Sequence, residues 1–127
     1  MNSKKEILII DDDSKNIFAL SAVLKSKKYP CVSAMSADQG LKILSVNKNI
    51  GVVLMDMMMP EMDGYETIRE IRARNEYKNV PILAVTAKAM MGDREKCIAV
   101  GASDYISKPV DIDQLISLLR VWLYDKI

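Results

Sequence analysis

Short apolar runs alternate along the chain with longer segments in which apolar residues recur every three or four positions. Three of the runs, 7–10, 52–55 and 80–85, are apolar at successive positions, as expected for parallel strands that are covered on both faces. The longer segments have the period of amphipathic surface helices. The pattern predicts five strands, at 7–10, 31–34, 52–55, 80–85 and 104–106, and five helices, at 15–27, 37–46, 64–74, 92–100 and 111–123.

Residues at the ends of these segments agree with the helix assignments. Asp13 or Ser14 can cap the first helix, Ser36 can cap the second, and Gly101 is a suitable stop after the fourth. Strands that alternate with helices over short loops predict an α/β fold, a (βα)5 unit with one parallel, doubly wound sheet. We expect a single domain over residues 1–127, with its core at about 5–124.

Charge and composition exclude several classes of function. The 127 residues include 18 basic and 17 acidic side chains, and this balance argues against direct binding of nucleic acid. The sequence contains no histidine, so a histidine triad, a histidine metal site and a phosphohistidine are excluded within it. Cys31 and Cys97 lack metal-ligand spacing and fit the reduced thiols of a cytosolic protein. The first apolar run is too short for a signal peptide or a membrane span, so we expect a cytoplasmic domain without membrane contact.

A carboxylate, Asp56, follows the third apolar run directly, where a buried and unpaired charge would be costly. Ligand sites in doubly wound sheets lie beyond the carboxyl ends of the strands, and other chemically able residues stand at those ends. Several carboxylates in one cleft repel one another unless a cation joins them, and hard oxygen ligands favour Mg²⁺ or Mn²⁺. The residues in question are Asp11, Asp12 and Asp13 after the first strand, Thr86 after the fourth and Lys108 after the fifth.

This set of groups is suited to forming an aspartyl phosphate. A carboxylate nucleophile beside Mg²⁺, with the ammonium of Lys108 and the hydroxyl of Thr86 near the phosphoryl oxygens, meets the requirements of phosphoryl transfer. We therefore predict that Asp56 is the phosphoacceptor. The methionines at 57–59 would limit access of water, and Pro60 and Gly64 would shape the following loop.

Four stretches, ILIIDDD, VVLMDMMMPEMDGYE, PILAVTAKA and GASDYISKPVD, together resemble the receiver domain of two-component response regulators over about residues 5–124. The resemblance implies a flavodoxin-like three-layer sandwich with strand order 2-1-3-4-5. It implies that Asp11 and Asp12 bind Mg²⁺ together with Asp56 and the backbone carbonyl of Met58. Thr86 and Tyr105 resemble the family's switch residues, and Lys108 resembles its phosphate-binding lysine.

A narrower resemblance, carried by MDMMMPEMDGYETIREIR and TAKAMMGDREKCIAVGASDYISKPVD, is to the C-terminal receivers of hybrid sensor histidine kinases. Those receivers exchange phosphate with histidine on a kinase or a histidine phosphotransfer domain, so the donor would lie outside these residues. The alternative is a stand-alone response regulator. Only one predicted helix lies between Lys108 and Ile127, so we expect no DNA-binding helix-turn-helix. Leu118 and Val121 lie off the apolar face of that helix, which leaves a monomer or a weak dimer open.

The first predicted helix carries more apolar residues than one buried face can hold. We expect Leu20 and Val23 to face the sheet, which leaves part of Ile17, Phe18 and Leu24 exposed as a surface that docks a four-helix phosphotransfer or dimerisation domain. A separate prediction concerns hydrolysis. The apolar Met58, with Lys88 two residues after Thr86, indicates slow to moderate loss of the phosphoryl group to water.

Three rival classes remain on the sequence alone. A haloacid-dehalogenase-type phosphatase needs an aspartate two residues after its nucleophile, where this chain has Met58. A flavodoxin-like cofactor binder needs a phosphate loop after the first strand, where three aspartates would repel a phosphate. A degenerate receiver would have the fold without being phosphorylated, although every expected site residue is present.

Overall fold

The computed structural model describes residues 5–59, 63–87 and 92–123, and within them five parallel strands form one sheet in the order β2-β1-β3-β4-β5. This confirms the predicted strand order. The strands are β1 (Glu6–Ile10), β2 (Cys31–Ala34), β3 (Ile50–Asp56), β4 (Ile82–Thr86) and β5 (Asp104–Ser107). The helices are α1 (Ser14–Ser26), α2 (Ala37–Val46), α3 (Gly64–Ala73), α4 (Asp93–Val100) and α5 (Ile112–Trp122). A short 3-10 turn at Asn75–Tyr77 was not predicted. Among the described helices, none has both the length and the apolar character to cross a bilayer.

Helices cover both faces of the sheet, which explains why the central strands are apolar at successive positions. In β1, Ile7 and Ile9 are buried against α1 and α5, whereas Leu8 and Ile10 are buried on the side of α2, α3 and α4. The strand therefore contributes to two separate cores. Together, the two helical layers and the sheet form the predicted three-layer sandwich.

The helix ends follow from local hydrogen bonding. Asp13, one of the two predicted candidates, caps α1, since its carboxylate accepts bonds from the N–H groups of Lys15 and Asn16 at 3.0 and 3.5 Å. Ser36 caps α2 as predicted. Gly101 ends α4 with φ at +122°, a conformation that side chains with a Cβ rarely adopt.

The predicted fourth strand began two residues too early. Proline cannot donate a ladder hydrogen bond, so Pro81 takes part only through its carbonyl, which accepts from Val53 N–H at 2.9 Å. The regular strand starts at Ile82 and continues to Thr86, one residue beyond the predicted end. Thr86 is thus the last residue of β4 and belongs to the sheet, not to the loop that follows it.

Part of the prediction for α1 was wrong. Leu20 is buried as expected, but the second buried residue is Leu24 at four residues' spacing, and Val23 is only partly buried. Phe18 has 76% of its surface exposed, so the helix does present apolar area to solvent. In α5, Val121 is also exposed and Leu118 partly so, as expected from their place off the main apolar face.

Arg72 on α3 joins two loops on the α3–α4 side of the sheet. Its guanidinium donates to the carbonyl oxygens of Gly101 at 2.9 Å, Tyr77 at 2.9 Å and Val80 at 2.6 Å. It also donates to the hydroxyl of Ser103, at 3.3 Å. Burial lowers the pKa of the guanidinium, but the group remains a cation at any physiological pH. These bonds give the loops that lead into β4 and β5 a common anchor.

Candidate functional site

Three carboxylates meet at the carboxyl end of the sheet, where β1 and β3 lie side by side. Asp11 follows β1 directly and Asp56 is the last residue of β3, and the strand register pairs their preceding neighbours, Ile10 and Met55. One oxygen each from Asp11, Asp12 and Asp56 lies within 4.8 Å of the others. Asp11 and Asp56 are buried, with 2% and 4% of their surface exposed, while Asp12 is open to solvent. The structure thus brings together the carboxylates that the sequence predicts as metal ligands.

The start of α1 holds Asp11 in place. Its Oδ1 accepts a bond from the backbone N–H of Asp13 at 2.9 Å, and its Oδ2 accepts a short bond from the side-chain amide of Asn16. Asp13 itself is turned the other way to cap the helix.

Asp56 is a buried carboxylate with two partners. Its Oδ1 accepts the backbone N–H of Met58 at 2.9 Å and forms an ion pair with Lys108 Nζ at 3.3 Å. Burial raises the pKa of Asp56, and the adjacent Asp11 carboxylate raises it further. The Met58 N–H and the Lys108 ammonium act in the opposite direction. An anionic oxygen close to a cation and short of solvent is a group that can attack an electrophile at neutral pH.

Thr86 and Lys108 stand beside this carboxylate because β3, β4 and β5 are consecutive in the sheet. The register pairs Asp56 with Val85 and Thr86 with Ser107, and Lys108 N–H donates to the carbonyl of Thr86 at 2.8 Å. Thr86 is buried, with 2% of its surface exposed. The peptide bond after Lys108, to Pro109, is cis.

Tyr105 is the second residue of β5 and packs on the α4 side of the sheet. Its hydroxyl donates to Asp93 Oδ2 at 3.3 Å, and the hydroxyl of Tyr65 donates to Oδ1 of the same carboxylate at 2.9 Å. Asp93 is in the first turn of α4 and is buried. Burial and this bond raise the pKa of Tyr65 to about 12, so the phenol stays a donor at neutral pH. The predicted switch tyrosine is therefore linked to the first turns of α3 and α4.

The residues predicted to flank Asp56 and Thr86 contribute less to the geometry of the site. The N–H of Met58 is engaged with Asp56, and its side chain is 40% exposed, so it does not seal the site against water. Met59 is buried and Met57 partly so. Gly64 begins α3, where an added Cβ would lie 2.7 Å from the sulfur of Met57. Pro60 and Lys88 lie outside the described residues.

Asn16, Asp93 and Tyr65 were not singled out from the sequence. For Asn16 a signal existed, because a polar residue three positions after the helix cap lies in the first turn and can reach back toward Asp11. For Asp93 and Tyr65 no local signal existed, since their contact joins residues 28 positions apart. A contact of that kind depends on how α3 and α4 pack on the sheet.

Taken together, a (βα)5 sandwich with an acidic cluster, a buried strand-end aspartate and a lysine on the adjoining loop define a signalling receiver. The chain matches the family of the response regulator receiver domain over residues 7–120 and belongs to that family. It is 29% identical over 121 residues to the polar-differentiation response regulator DivK of Brucella ovis, covering 95% of this chain and 98% of DivK. It is 28% identical over 123 residues to the two-component response regulator ORR6 of Oryza sativa subsp. japonica, covering 93% of this chain and 72% of ORR6.

Solved structures agree with this assignment. The receiver domain of the sensor histidine kinase PA1611 from Pseudomonas aeruginosa superposes with a TM-score of 0.86 at 34% identity, covering 97% of this chain and all of that one. That structure has a magnesium ion coordinated in its active-site cleft. A receiver protein from Pseudomonas putida superposes with a TM-score of 0.87 at 28% identity, covering 95% of this chain and 99% of that one.

Membership of the family confirms the fold class and the broad function expected from the resemblance. Receiver domains are signalling phosphoacceptors rather than classical enzymes, bind Mg²⁺ in an acidic cleft, and interact with histidine kinases or phosphotransfer proteins. The two rivals of other families, the haloacid-dehalogenase-type phosphatase and the flavin-type cofactor binder, are therefore excluded. The degenerate receiver remains as the alternative to test.

Proposed function

We propose that this chain accepts a phosphoryl group on Asp56 from a phosphohistidine of a partner protein and changes conformation in response. The observation that carries the proposal is the placement of Asp56. Its carboxylate is buried at the end of β3, 3.3 Å from the Lys108 ammonium and within 4.8 Å of Asp11 and Asp12 oxygens. If this position served stability alone, an apolar residue would fill it without the free-energy cost of burying a charge.

The transfer needs a nucleophile, charge neutralisation and a leaving group. An Asp56 oxygen forms the new O–P bond as the P–N bond to the donor imidazole breaks, and the imidazole leaves with the electron pair and takes up a proton. Lys108 is positioned to bind a phosphoryl oxygen once it releases the carboxylate, and the Thr86 hydroxyl can donate to another. A bound Mg²⁺ would neutralise negative charge on the phosphoryl oxygens during transfer.

The residues present fit a divalent cation. Three carboxylate oxygens from Asp11, Asp12 and Asp56 within 4.8 Å of one another form a set of hard oxygen ligands, and Mg²⁺ takes one or two carboxylates with water and phosphate completing its shell. The backbone carbonyl of Met58 is the further ligand that we propose. Mn²⁺ uses similar oxygen ligands and is the alternative ion.

We propose that the switch runs through Thr86 and Tyr105. The Tyr105 hydroxyl donates to Asp93, which holds the ring on the α4 side of the sheet. A phosphoryl group that draws Thr86 toward Asp56 would open space behind it for the tyrosine ring. The result would be a shift in population toward a state with an altered α4–β5–α5 surface, which a partner reads.

The partner surface that we propose is the exposed apolar part of α1. Phe18 is 76% exposed, although burying a phenylalanine side chain away from water is favourable. Phe18→Asp should slow phosphotransfer from a phosphorylated histidine phosphotransfer domain by about tenfold or more, the equivalent of about 1.4 kcal/mol of docking energy. Val46→Asp is the matched control, because Val46 is 80% exposed on α2. Labelling by acetyl phosphate needs no docking surface and should be the same in both variants, and an unchanged transfer rate in Phe18→Asp would remove the idea.

We propose that this chain is the C-terminal receiver of a hybrid histidine kinase. The 34% identity to the receiver domain of a sensor histidine kinase supports this placement. The second candidate is a stand-alone response regulator, which the coverage of 98% of DivK favours. In either case we propose a cytoplasmic site of action, tethered to a membrane in the first case. We also propose a monomer or a weak dimer through Leu118 and Val121, and a slow intrinsic autophosphatase activity.

The decisive experiment is intact mass spectrometry after incubation with acetyl phosphate. The parent should gain one phosphoryl group in the presence of Mg²⁺ and none in excess chelator, and Asp56→Asn should gain none. A folded parent sample that gains nothing from either acetyl phosphate or a phosphohistidine donor would support the degenerate receiver instead.

A further inference from the structure

Asp11 lies in the loop between β1 and α1, and three hydrogen bonds fix its backbone and its carboxylate. Both of its carboxylate oxygens accept hydrogen bonds from the beginning of α1, one from the backbone of Asp13 and one from the side chain of Asn16. The backbone N–H of Asp11 also donates to Ala34 on β2 at 3.0 Å. Two donors on opposite oxygens restrict rotation of the carboxylate about its side-chain bonds.

The Asn16 side chain reaches Asp11 because the helix cap fixes the turn that carries it. Asp13 accepts the backbone N–H of Asn16 at 3.5 Å, so the same residue that caps α1 also sets the position of Asn16 above the acidic cluster. Asn16 is partly buried, unlike its neighbours Ser14 and Lys15, which are exposed. Its amide is thus directed to the site rather than to solvent.

The chemical type of this donor matters for a cation site. A lysine or an arginine at position 16 would also hold Asp11, but its positive charge would repel a divalent cation and offset the carboxylate that the cation needs. A neutral amide orients the carboxylate without neutralising it. Each carboxylate oxygen has two acceptor positions, so one N–H on each leaves capacity for a cation.

We propose that Asn16 is a positioning residue for the metal, fixing the Asp11 carboxylate so that it faces Asp12 and Asp56 before the ion arrives. This inference rests on the proposed Mg²⁺-dependent function of the same site. Hydrogen-bond partners that orient metal ligands typically contribute about 10–100-fold to metal affinity. Without such a partner, part of the binding free energy is spent on fixing the orientation of the ligand side chain. We expect the lower end of that range, since Asp11 keeps its bond from Asp13.

The test is calorimetric titration of the metal-free protein with MgCl2, with no phosphoryl donor present. Asn16→Ala removes the donor and some volume, while Asn16→Leu removes the donor and keeps a branched side chain of similar size. Both should raise the Kd for Mg²⁺ about tenfold. Ser14→Ala, in the same turn but exposed, is the control and should bind as the parent does. The thermal midpoint of each metal-free variant is measured in parallel, and it should stay near that of the parent.

Three results would overturn the inference. They are a Kd within twofold of the parent in Asn16→Ala, a loss of affinity in Asn16→Ala that Asn16→Leu restores, and an equal loss in Ser14→Ala. The second result would mean that Asn16 acts by packing rather than by donating. If the parent binds Mg²⁺ and becomes phosphorylated while the Asn16 variants match it, only this inference fails. If the parent itself neither binds Mg²⁺ nor becomes phosphorylated, the proposed function fails first.

Discussion

Replacing Asp56 by asparagine should make the metal-free protein more stable and remove most of the stabilisation by Mg²⁺. The Asp56 carboxylate is 4% exposed, and burial followed by the charge of Asp11 raises its pKa. Asparagine has nearly the same shape and can still accept the Met58 N–H bond that measures 2.9 Å in the parent. The substitution therefore removes a buried charge and little else, apart from the ion pair with Lys108.

The magnitude follows from opposing terms. At an effective dielectric constant of about 20, two like charges no more than 4.8 Å apart repel by about 3.5 kcal/mol or more, and an ion pair at 3.3 Å attracts by about 5 kcal/mol. These terms largely cancel because Asp56 faces both kinds of neighbour, and the cost of removing the carboxylate from water remains. Replacing a whole buried ion pair by apolar groups has stabilised other proteins by about 1–4 kcal/mol, whereas removing one partner destabilises when the charge left behind is buried. The Lys108 side chain is 28% exposed, so its ammonium can be solvated after the substitution, and we expect a gain at the lower end of that range, about 1–2 kcal/mol.

For a chain of 127 residues, an unfolding entropy of about 2.1 cal/mol/K per residue converts 1 kcal/mol into roughly 4 °C of Tm. In chelator, Asp56→Asn should therefore unfold about 4–8 °C above the parent. Mg²⁺ at ten times its Kd adds about 1.4 kcal/mol, or about 5 °C, to the parent, and far less to the variant. Thermal unfolding followed by circular dichroism measures both shifts. Asp38→Asn, an exposed carboxylate in the first turn of α2, is the control and should change neither.

The pH dependence gives a second check on the same charge. The pKa of Asp56 in the folded protein lies above the ordinary value of 3.8, so between the two values the folded state binds more protons than the unfolded state. The destabilisation from this group is fully present above the folded pKa and disappears as the pH falls to about 3.8. The Tm difference between parent and Asp56→Asn should close over that window. An asparagine variant that is less stable than the parent in chelator at pH 7, or that Mg²⁺ stabilises equally, would refute the reasoning.

Three further predictions concern the anchor on α3, the end of α4 and the lifetime of the phosphorylated form. Arg72→Met leaves several carbonyl oxygens without their donor and should cost about 2–4 kcal/mol in urea unfolding, whereas the exposed Arg69→Met should cost at most about 0.5 kcal/mol. Gly101→Ala should cost about 1–3 kcal/mol in the same assay, because φ is +122° and the new Cβ would lie 2.7 Å from Arg72 Cγ. Met58→Asn should speed the loss of the phosphoryl group, followed by mass spectrometry, since an amide can hold a water that the 40%-exposed thioether cannot; an identical decay rate would count against that role.

The placement of the site residues was predictable because it depends on topology alone. Once β1 and β3 are neighbouring parallel strands, Asp11 and Asp56 must meet, whatever the side chains around them do. The same holds for Thr86 and Lys108 at the ends of the next two strands. The apolar character of β1 on both faces predicted a sheet covered by helices on both sides, whereas the strand order that makes β1 and β3 neighbours came from the resemblance to receiver domains.

The orientation of the side chains was less accessible. A helix allows apolar pairs at three or four residues' spacing, and nothing in the α1 sequence decides between Leu20 with Val23 and Leu20 with Leu24. The choice depends on how the helix rotates against the sheet. The Asp93 bonds to Tyr65 and Tyr105 were unpredictable for the same reason, since they require α3, α4 and β5 to be in place first.

The charges of the site explain why this region should respond to both a metal and a phosphoryl group. Three carboxylates with one lysine have a formal charge of −3 + 1 = −2, which a divalent cation would neutralise in full. Phosphorylation of Asp56 would exchange one negative charge for about two, so the site would again need a donor even with the ion bound. Lys108 Nζ lies 3.3 Å from Asp56 Oδ1 and would move to the phosphate, and the buried hydroxyl of Thr86, at the end of the neighbouring strand, would be a further donor. Phosphorylation would therefore add negative charge to a site whose charge the cation alone neutralises. We expect neighbouring donors to move toward the phosphate, and we expect a partner to detect that movement.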